Sequence, residues 1–302
     1  MFPNWGSPPR AGELVRKPIP ESAARVAALQ AGEVDIVVRI PPTQVRALQG
    51  AANFDLMPVL GSRNYYIALD NMKDTPVKDR RVRLALNHAV DVDSIIRPIL
   101  DGRAERVNSI IGNVQFGYDP SIPPIPYDVA KAKALLKEAG YGDGFKTTIS
   151  APNGAYVMDK EVCQAIAGFL SDVGVEAELK VYESVNFWDL QAKKQLSELF
   201  FDGVGDRNLD ADGPLRSVVS IVAPWTVYDN PEVERLIQLG GSTIDQEERK
   251  RIYSRIARLL QEDPAFISLY QVYDYYGVSK RLEGFQPRSN ELILFGNVAA
   301  RP

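Results

Sequence analysis

RNYYIALDNMKDTPVKDRRVRLALNHAVD, residues 63–91, decides the fold, because within it a short aromatic strand passes through a proline turn straight into an amphipathic helix. Tyr65, Ile67 and Leu69 alternate with Asn64, Tyr66 and Asp70, the period of two expected of a strand with two unlike faces. Pro76 cannot continue a strand ladder and stands just before the charged run Lys78, Asp79, Arg80 where the helix begins. Val82, Leu84, Ala85, Leu86 and Ala89 then recur at helical spacing, with Arg80, Arg81, Arg83 and Asn87 mostly at the other positions.

Outward from this segment, strand and helix signals alternate. Residues 1–20 carry five prolines among polar residues and read as an extended lead-in. Residues 21–32 read as a short helix with Ala24, Ala27, Ala28 and Ala31 on its inner side and Gly32 as its C-terminal cap. Residues 34–40 read as a strand ended by Pro41 and Pro42, after which Thr43 caps a second helix over 43–49. Downstream, Asp91 caps a helix through Leu100. Residues 108–126 hold four prolines and no helical period, and so form a loop long enough to carry function. Asp128 opens the next helix, with Val129, Ala132, Leu135, Leu136 and Ala139 as its stripe and Gly140 at its end.

A strand over 146–150, a helix over 160–173 and a strand over 175–182 follow, and this alternation argues for an α/β sheet with crossover helices. Residues 187–194 read as a helix, 199–203 as a short strand and 206–216 as a loop rich in Gly, Asp and Asn. Two helices, 230–240 and 245–261, come next, the second opened by an Asp245-x-x-Glu248 capping box. Residues 266–278 are aromatic and β-branched, as a strand is.

The 302-residue length suits about two domains, and 45% hydrophobic content supports packed cores. No run approaches the ~18 uninterrupted apolar residues of a membrane span. A net charge of -4 and a pI near 5.3 give no basic footprint for nucleic acid. Cys163 is the single cysteine, so no internal disulfide forms, and with His88 as the single histidine a His-based metal site or a Ser-His-Asp triad is hard to assemble. The stretch MFPNWGSPPRAGEL has no basic, apolar or small-residue cleavage region, so this chain is expected to carry no signal peptide.

The order of residues 63–91 resembles the passage between lobes in the extracytoplasmic solute-binding proteins of the peptide and nickel class, family 5. Residues 24–42, ARVAALQAGEVDIVVRIPP, are similar to the family's stretch before that passage. Residues 117–145, GYDPSIPPIPYDVAKAKALLKEAGYGDGF, are similar to its loop and helix in the second lobe. Residues 229–270, DNPEVERLIQLGGSTIDQEERKRIYSRIARLLQEDPAFISLY, are similar to its closing helices and return strand.

This resemblance implies an α/β fold of the periplasmic-binding-protein type II, with two lobes, hinge strands and an incomplete first lobe. Residues 1–62 would be a remnant of lobe one, 63–266 lobe two, and 267–302 the return strand and C-terminal remnant of lobe one. Hinge closure needs crossing strands, here 64–69 and 269–275. The implied function is the solute-binding component of an ABC importer, which holds an oligopeptide-like or other small polar solute between its lobes and performs no catalysis. No cofactor, metal or nucleic acid is implied; the partners are the small-molecule or peptide ligand and a membrane permease. The expected location is periplasmic or extracytoplasmic, soluble or lipid-anchored, and the expected state a monomer.

The sharpest local match is residues 199–214, LFFDGVGDRNLDADGP. Peptide-binding relatives carry Gly-Trp-x-x-Asp here, and that Asp accepts the ligand's α-amino group. With Gly203 on the family's Gly, Val204 stands where the Trp is usual and Arg207 where the Asp is usual, with Asp206 one residue early. Two unit charges ~4 Å apart interact by about 4 kcal/mol at an effective dielectric near 20, so a cation in place of the anion reverses the preferred ligand charge. The expected ligand lacks a free α-amino group or offers an anionic or polyhydroxyl group near Arg207.

The candidates for the cleft are Asn64, Tyr65, Gly203, Val204, Gly205, Asp206, Arg207, Trp225 and Tyr273, with Phe116 in the long loop facing the entrance. Tyr65, Tyr66, Tyr270, Tyr273, Tyr275 and Tyr276 either clamp a ligand through ring area and hydroxyl or fill the sheet faces. Trp225 either stacks on a ligand or packs within the lobe.

Three competing readings remain. Asn208, Asp210, Asp212 and Gly213 imitate the start of an EF-hand loop, but position twelve falls on Val219 where a bidentate Glu is needed. A glycoside or ester hydrolase would use Asp206, Asp210 and Asp212 as acid and base, although clustered loop acids are commonly turn formers and His88 lies in an apolar stripe that suits a packed imidazole. A protein-binding scaffold would use the charged helix face over 247–258, which also reads as a solvated face.

Overall fold

The computed structural model describes residues 10–19 and 21–301, so the lead-in expected over residues 1–20 lies in part outside the described residues. Among the described residues the strands are β1 (Ile36–Val37), β2 (Phe54–Leu69), β3 (Ala104–Arg106), β4 (Phe145–Asn153), β5 (Val175–Glu183), β6 (Leu199–Val204), β7 (Phe266–Ser279), β8 (Leu282–Glu283) and β9 (Ala299–Ala300). The chain divides into two compact units, Met1–Gly61 with Tyr273–Pro302, and Ser62–Val272. Both passages between units fall inside a strand, one within β2 and the other within β7.

In the Ser62–Val272 unit a mixed sheet runs in the order β7-β2-β6-β4-β5, with β3 pairing antiparallel to β7. β4 pairs parallel with both β5 and β6, and the helices Asp159–Ser171 and Ser184–Ala192 make the connections. β2 pairs antiparallel with β6 in a register that sets Asn64 opposite Val204 and Tyr65 opposite Gly203. Gly144 and Gly174, at φ +80° and +88°, lie against each other where β4 and β5 begin.

Helices cover both faces of this sheet. Tyr65, Ile67, Leu69, Ile149, Leu199 and Phe201 point to one core with the helices Arg80–Ala89 and Asp159–Ser171. Tyr66, Ala68, Phe200 and Phe266 point to the other, with the helices Pro231–Ser242 and Gln246–Glu262. β2 was expected to have one polar face; instead Asn64 and Tyr66 are as buried as their apolar neighbours, because helices lie on both sides.

A second correction concerns the helix Arg80–Ala89, where Arg83 and Asn87 belong to the buried side. The Arg83 guanidinium donates to the carbonyl oxygens of Val77, Lys78 and Pro264 and to the Asp263 carboxylate. Three carbonyls at a turn and a helix exit, together with the Asp263 carboxylate, hold the cation while it is 2% exposed. Asp79 caps the same helix by accepting from Arg81 N at 2.8 Å. Asp128, Asn230 and Asp245 cap later helices in the same way.

In the other unit, β1 pairs antiparallel with the end of β7, and Val26, Leu29, Val37, Ile40, Val45, Leu48, Phe54 and Tyr275 form its main core. The helix Ser22–Gln30 buries Val26, Ala28 and Leu29; of the expected alanine stripe Ala28 is buried while Ala24, Ala27 and Ala31 are exposed, since the larger apolar side chains remove more surface from water. The strand expected over 34–40 shrinks to Ile36–Val37, because Arg39 adopts φ +55° before Ile40. Thr43 is not an N-cap: the helix Pro42–Leu48 begins at Pro42, which needs no donor there. The helix opened at Asp91 ends early, as Asp93–Ile96, where Pro98 lacks the N–H a continuing helix requires.

Candidate functional site

β6 is apolar except at its fourth residue, and that residue organises the region around the expected binding segment. Asp202 is 6% exposed and accepts four hydrogen bonds: from Tyr156 Oη at 2.8 Å, Gln191 Nε2 at 2.7 Å, Gly203 N at 2.6 Å and Tyr66 Oη at 3.3 Å. Burial raises its carboxyl above the usual carboxylate value, against the opposing pull of these donors. The same burial, and then the neighbouring Asp202, pushes the Tyr156 and Tyr66 hydroxyls far up, so both stay protonated as donors.

Beyond Asp202, Gly203 leaves room for Arg63 of β2, and Gly205 lies alongside it. A Cβ on Gly203 would stand 3.0 Å from the Tyr65 ring and 3.1 Å from Arg63 Cδ, and one on Gly205 would stand 3.5 Å from Arg63 Cα. Arg63 Nη1 donates to Gly203 O at 2.6 Å, and its guanidinium lies 5.8 Å from the centre of the Tyr156 ring. Tyr156 in turn meets Trp188 edge to face at 6.0 Å, and Trp188 is 38% exposed.

Antiparallel pairing of β2 with β6 brings Asn64, Tyr65, Gly203 and Val204 together, and all four are buried. Asn64 Nδ2 donates to Ile110 O at 2.6 Å and to Gln115 Oε1 at 3.3 Å. Tyr65 packs against Tyr156, Phe201 and Tyr270 with ring centres 5.1 to 5.9 Å apart. Tyr66, Tyr270, Tyr275 and Tyr276 are buried as well, so these rings fill sheet faces. Tyr273 is half-buried in the Met1–Gly61 and Tyr273–Pro302 unit.

Gly205 and Arg207 are exposed, and Asp206 between them is half-buried. Asp206 Oδ2 accepts from Asp210 N at 2.9 Å, and a Cβ on Gly213 would stand 2.6 Å from the Asp206 carboxyl carbon, so Gly213 is what lets this loop fold back. Trp225 is not brought to this segment. It is 45% exposed and lines a small recess with Leu196, Phe200, Lys194 and Val227, near the start of β6, whereas Gly203 and Val204 lie at the strand's end. Phe116, half-buried, packs edge to face on Tyr253 beside the Arg249 guanidinium, and its backbone bonds to Leu209 and Ala211.

The loop acids are engaged. Asp210 takes both Arg249 nitrogens at 2.9 and 3.0 Å, and Asp212 takes Arg216 Nε at 2.7 Å. Two arginine-paired acids do not suit an acid and base opposed across a substrate, and no group of three metal-binding side chains occurs among the described residues. His88 is packed as its stripe suggests, with Nδ1 2.8 Å from Pro126 O, and burial lowers its pKa. No helix among the described residues is long and apolar enough to cross a membrane.

Arg63, Asp202, Tyr156, Gln191 and Trp188 went unnoticed in the sequence. Asp202 had a usable signal, a lone acid inside the apolar run LFFDGV. Arg63 and Tyr156 had none, because they lie 93 positions apart in the chain and meet only in the fold.

Residues 1–221 match the family described as bacterial extracellular solute-binding proteins, family 5 Middle. The chain is 28% identical over 298 residues to the glutathione-binding protein GsiB of Pectobacterium atrosepticum, a match that covers 95% of this chain and 57% of that protein. Among solved structures it resembles the periplasmic binding protein DppA of Helicobacter pylori in complex with the peptide STSA, with a TM-score of 0.80 and 26% identity over 93% of this chain and 56% of that one. It also resembles HbpA2 of Haemophilus parasuis, with a TM-score of 0.84 and 24% identity over 94% of this chain and 57% of that one. The chain thus spans a little over half the length of these relatives, and its fold is α/β of the periplasmic-binding-protein type II. It belongs to the bacterial extracellular solute-binding proteins, family 5.

Proposed function

We propose that this chain supplies a large part of the solute-binding component of an ABC importer, and that it binds an oligopeptide-like or other small polar solute outside the cytoplasm. In this reading Ser62–Val272 is the second lobe, the other unit belongs to the first, and β2 and β7 are the hinge strands between them. The solute would meet the segment Gly203 to Arg207, and the solute-loaded protein would deliver it, as a monomer, to a membrane permease. The family match over most of the chain carries this reading. The relatives named for glutathione and peptide binding support a ligand of that size and polarity.

The ligand's charge follows from the acids near the segment. Asp202 is turned inward to four donors and Asp206 accepts from its own loop, while Arg207 is exposed. A free α-amino group therefore finds less to recognise here than an anionic or polyhydroxyl group does. Isothermal titration calorimetry of the full-length protein with glutathione, di- to tetrapeptides and their N-acetyl forms tests this reading. Saturable binding of at least one is expected. Turnover of a glycoside or ester panel without any saturable binding would favour the hydrolase instead.

A further inference from the structure

We propose that Arg63 is a specificity-determining residue of the solute site and receives a carboxylate of the ligand. This rests on the solute-binding reading above and extends it to a residue outside the expected segment. Three features of the structure build the position. The aliphatic stem of Arg63 lies against Gly203, where a Cβ would stand 3.0 Å from the Tyr65 ring and 3.1 Å from Arg63 Cδ and so crowd both. The guanidinium is held at one edge by the Gly203 carbonyl, 2.6 Å from Nη1, and over one face by the Tyr156 ring. Tyr156 is itself fixed by its bond to the buried Asp202, which accepts three further hydrogen bonds.

The residue is exposed, and among the described residues no carboxylate pairs with it. A guanidinium has five N–H donors in a rigid fork, and the carbonyl of Gly203 occupies one side of it, which leaves the other side oriented for a planar anion. A charged side chain held this way loses little further conformational freedom on binding, so it discriminates between charged and neutral ligands more sharply than a mobile lysine would. Trp188, 38% exposed and edge to face with Tyr156 at 6.0 Å, offers an apolar surface in the same neighbourhood. The matching solute carries a carboxylate with an apolar or aromatic group close to it, as the C-terminal residue of a short peptide does.

The test is calorimetry of full-length wild type, Arg63→Gln and Arg63→Lys against two acid and amide pairs: Ala-Phe with Ala-Phe amide, and glutathione with its diamide. Wild type should prefer the acid of a pair, and Arg63→Gln should weaken the acid by about 10- to 100-fold while leaving the amide unchanged. The unchanged amide shows that the variant is folded, and Arg63→Lys should restore only part of the preference. Equal affinity of wild type for acid and amide, or equal loss of both in Arg63→Gln, would overturn the role of Arg63 while leaving the solute-binding reading intact. Failure of wild type to bind any of the four probes would instead count against solute binding of this class, and the Arg63 assignment would fall with it.

Discussion

Tyr156 donates its hydroxyl to Asp202 Oδ1 at 2.8 Å, and this bond ties the ring beneath Arg63 to an acid inside the sheet. Tyr156→Phe removes a bond to a carboxyl that is 6% exposed. The expected loss is about 1.5–3 kcal/mol of unfolding free energy, measured by urea denaturation. A loss under ~0.5 kcal/mol would show that Asp202 is satisfied without Tyr156.

Arg83 should be among the least replaceable surface-typed residues of the chain. Arg83→Met leaves three carbonyls and the Asp263 carboxylate without their donor, and a cost of about 3–5 kcal/mol is expected in urea or thermal unfolding. Arg83→Lys should recover little, because one ammonium cannot reach acceptors on both the Val77 turn and the Asp263 helix exit. Full stability of the lysine variant would contradict the fork geometry.

His88 is the single histidine, so the difference between wild type and a His88 variant between about pH 7 and pH 5 isolates its ring. Its folded pKa is lowered by burial, so the folded state takes up its proton less readily than the unfolded chain does. Its contribution to stability is therefore present above the unfolded value of 6.5 and is lost as pH falls through the folded value. Unfolding free energy of wild type relative to His88→Gln should decline from pH 7 toward pH 5. A difference that is flat or rises with acidity would contradict the buried neutral ring.

Gly112 sits against the two buried amides of β2 and β7. A Cβ there would stand 2.2 Å from Asn64 Oδ1 and 2.5 Å from Gln271 Nε2. Gly112→Ala should cost about 1–3 kcal/mol through overpacking, read as a lower urea midpoint. An unchanged midpoint would mean that these amides can move aside.

Much of the fold was legible because local chemistry and tertiary packing agree. Asp128 and Asp245 cap their helices as the sequence suggests, and alternation from 146 to 182 becomes a parallel pair with its crossover helix. Where packing overrides local pattern, the sequence misleads: Arg83 looks solvated, but its guanidinium is held by chain from residues 263 and 264, about 180 positions away. Trp225 and Phe116 looked available because large rings near a loop suggest a ligand, yet each has a place against nearby side chains of its own unit. The segment after β6 was visible through its glycines. Arg63 beside it was not, since only the β2 and β6 register puts a residue of the first strand onto the glycines of the second.

Native mass spectrometry of the full-length protein purified without refolding, before and after denaturation, addresses solute binding most directly. One small polar molecule per chain, bearing a carboxylate or another anionic group and released on denaturation, is the expected result. A protein that carries none and takes up no member of a peptide and glutathione mixture would contradict solute binding, and a recovered ligand whose only charge is a free amine would contradict the assignment of Arg63 and Arg207.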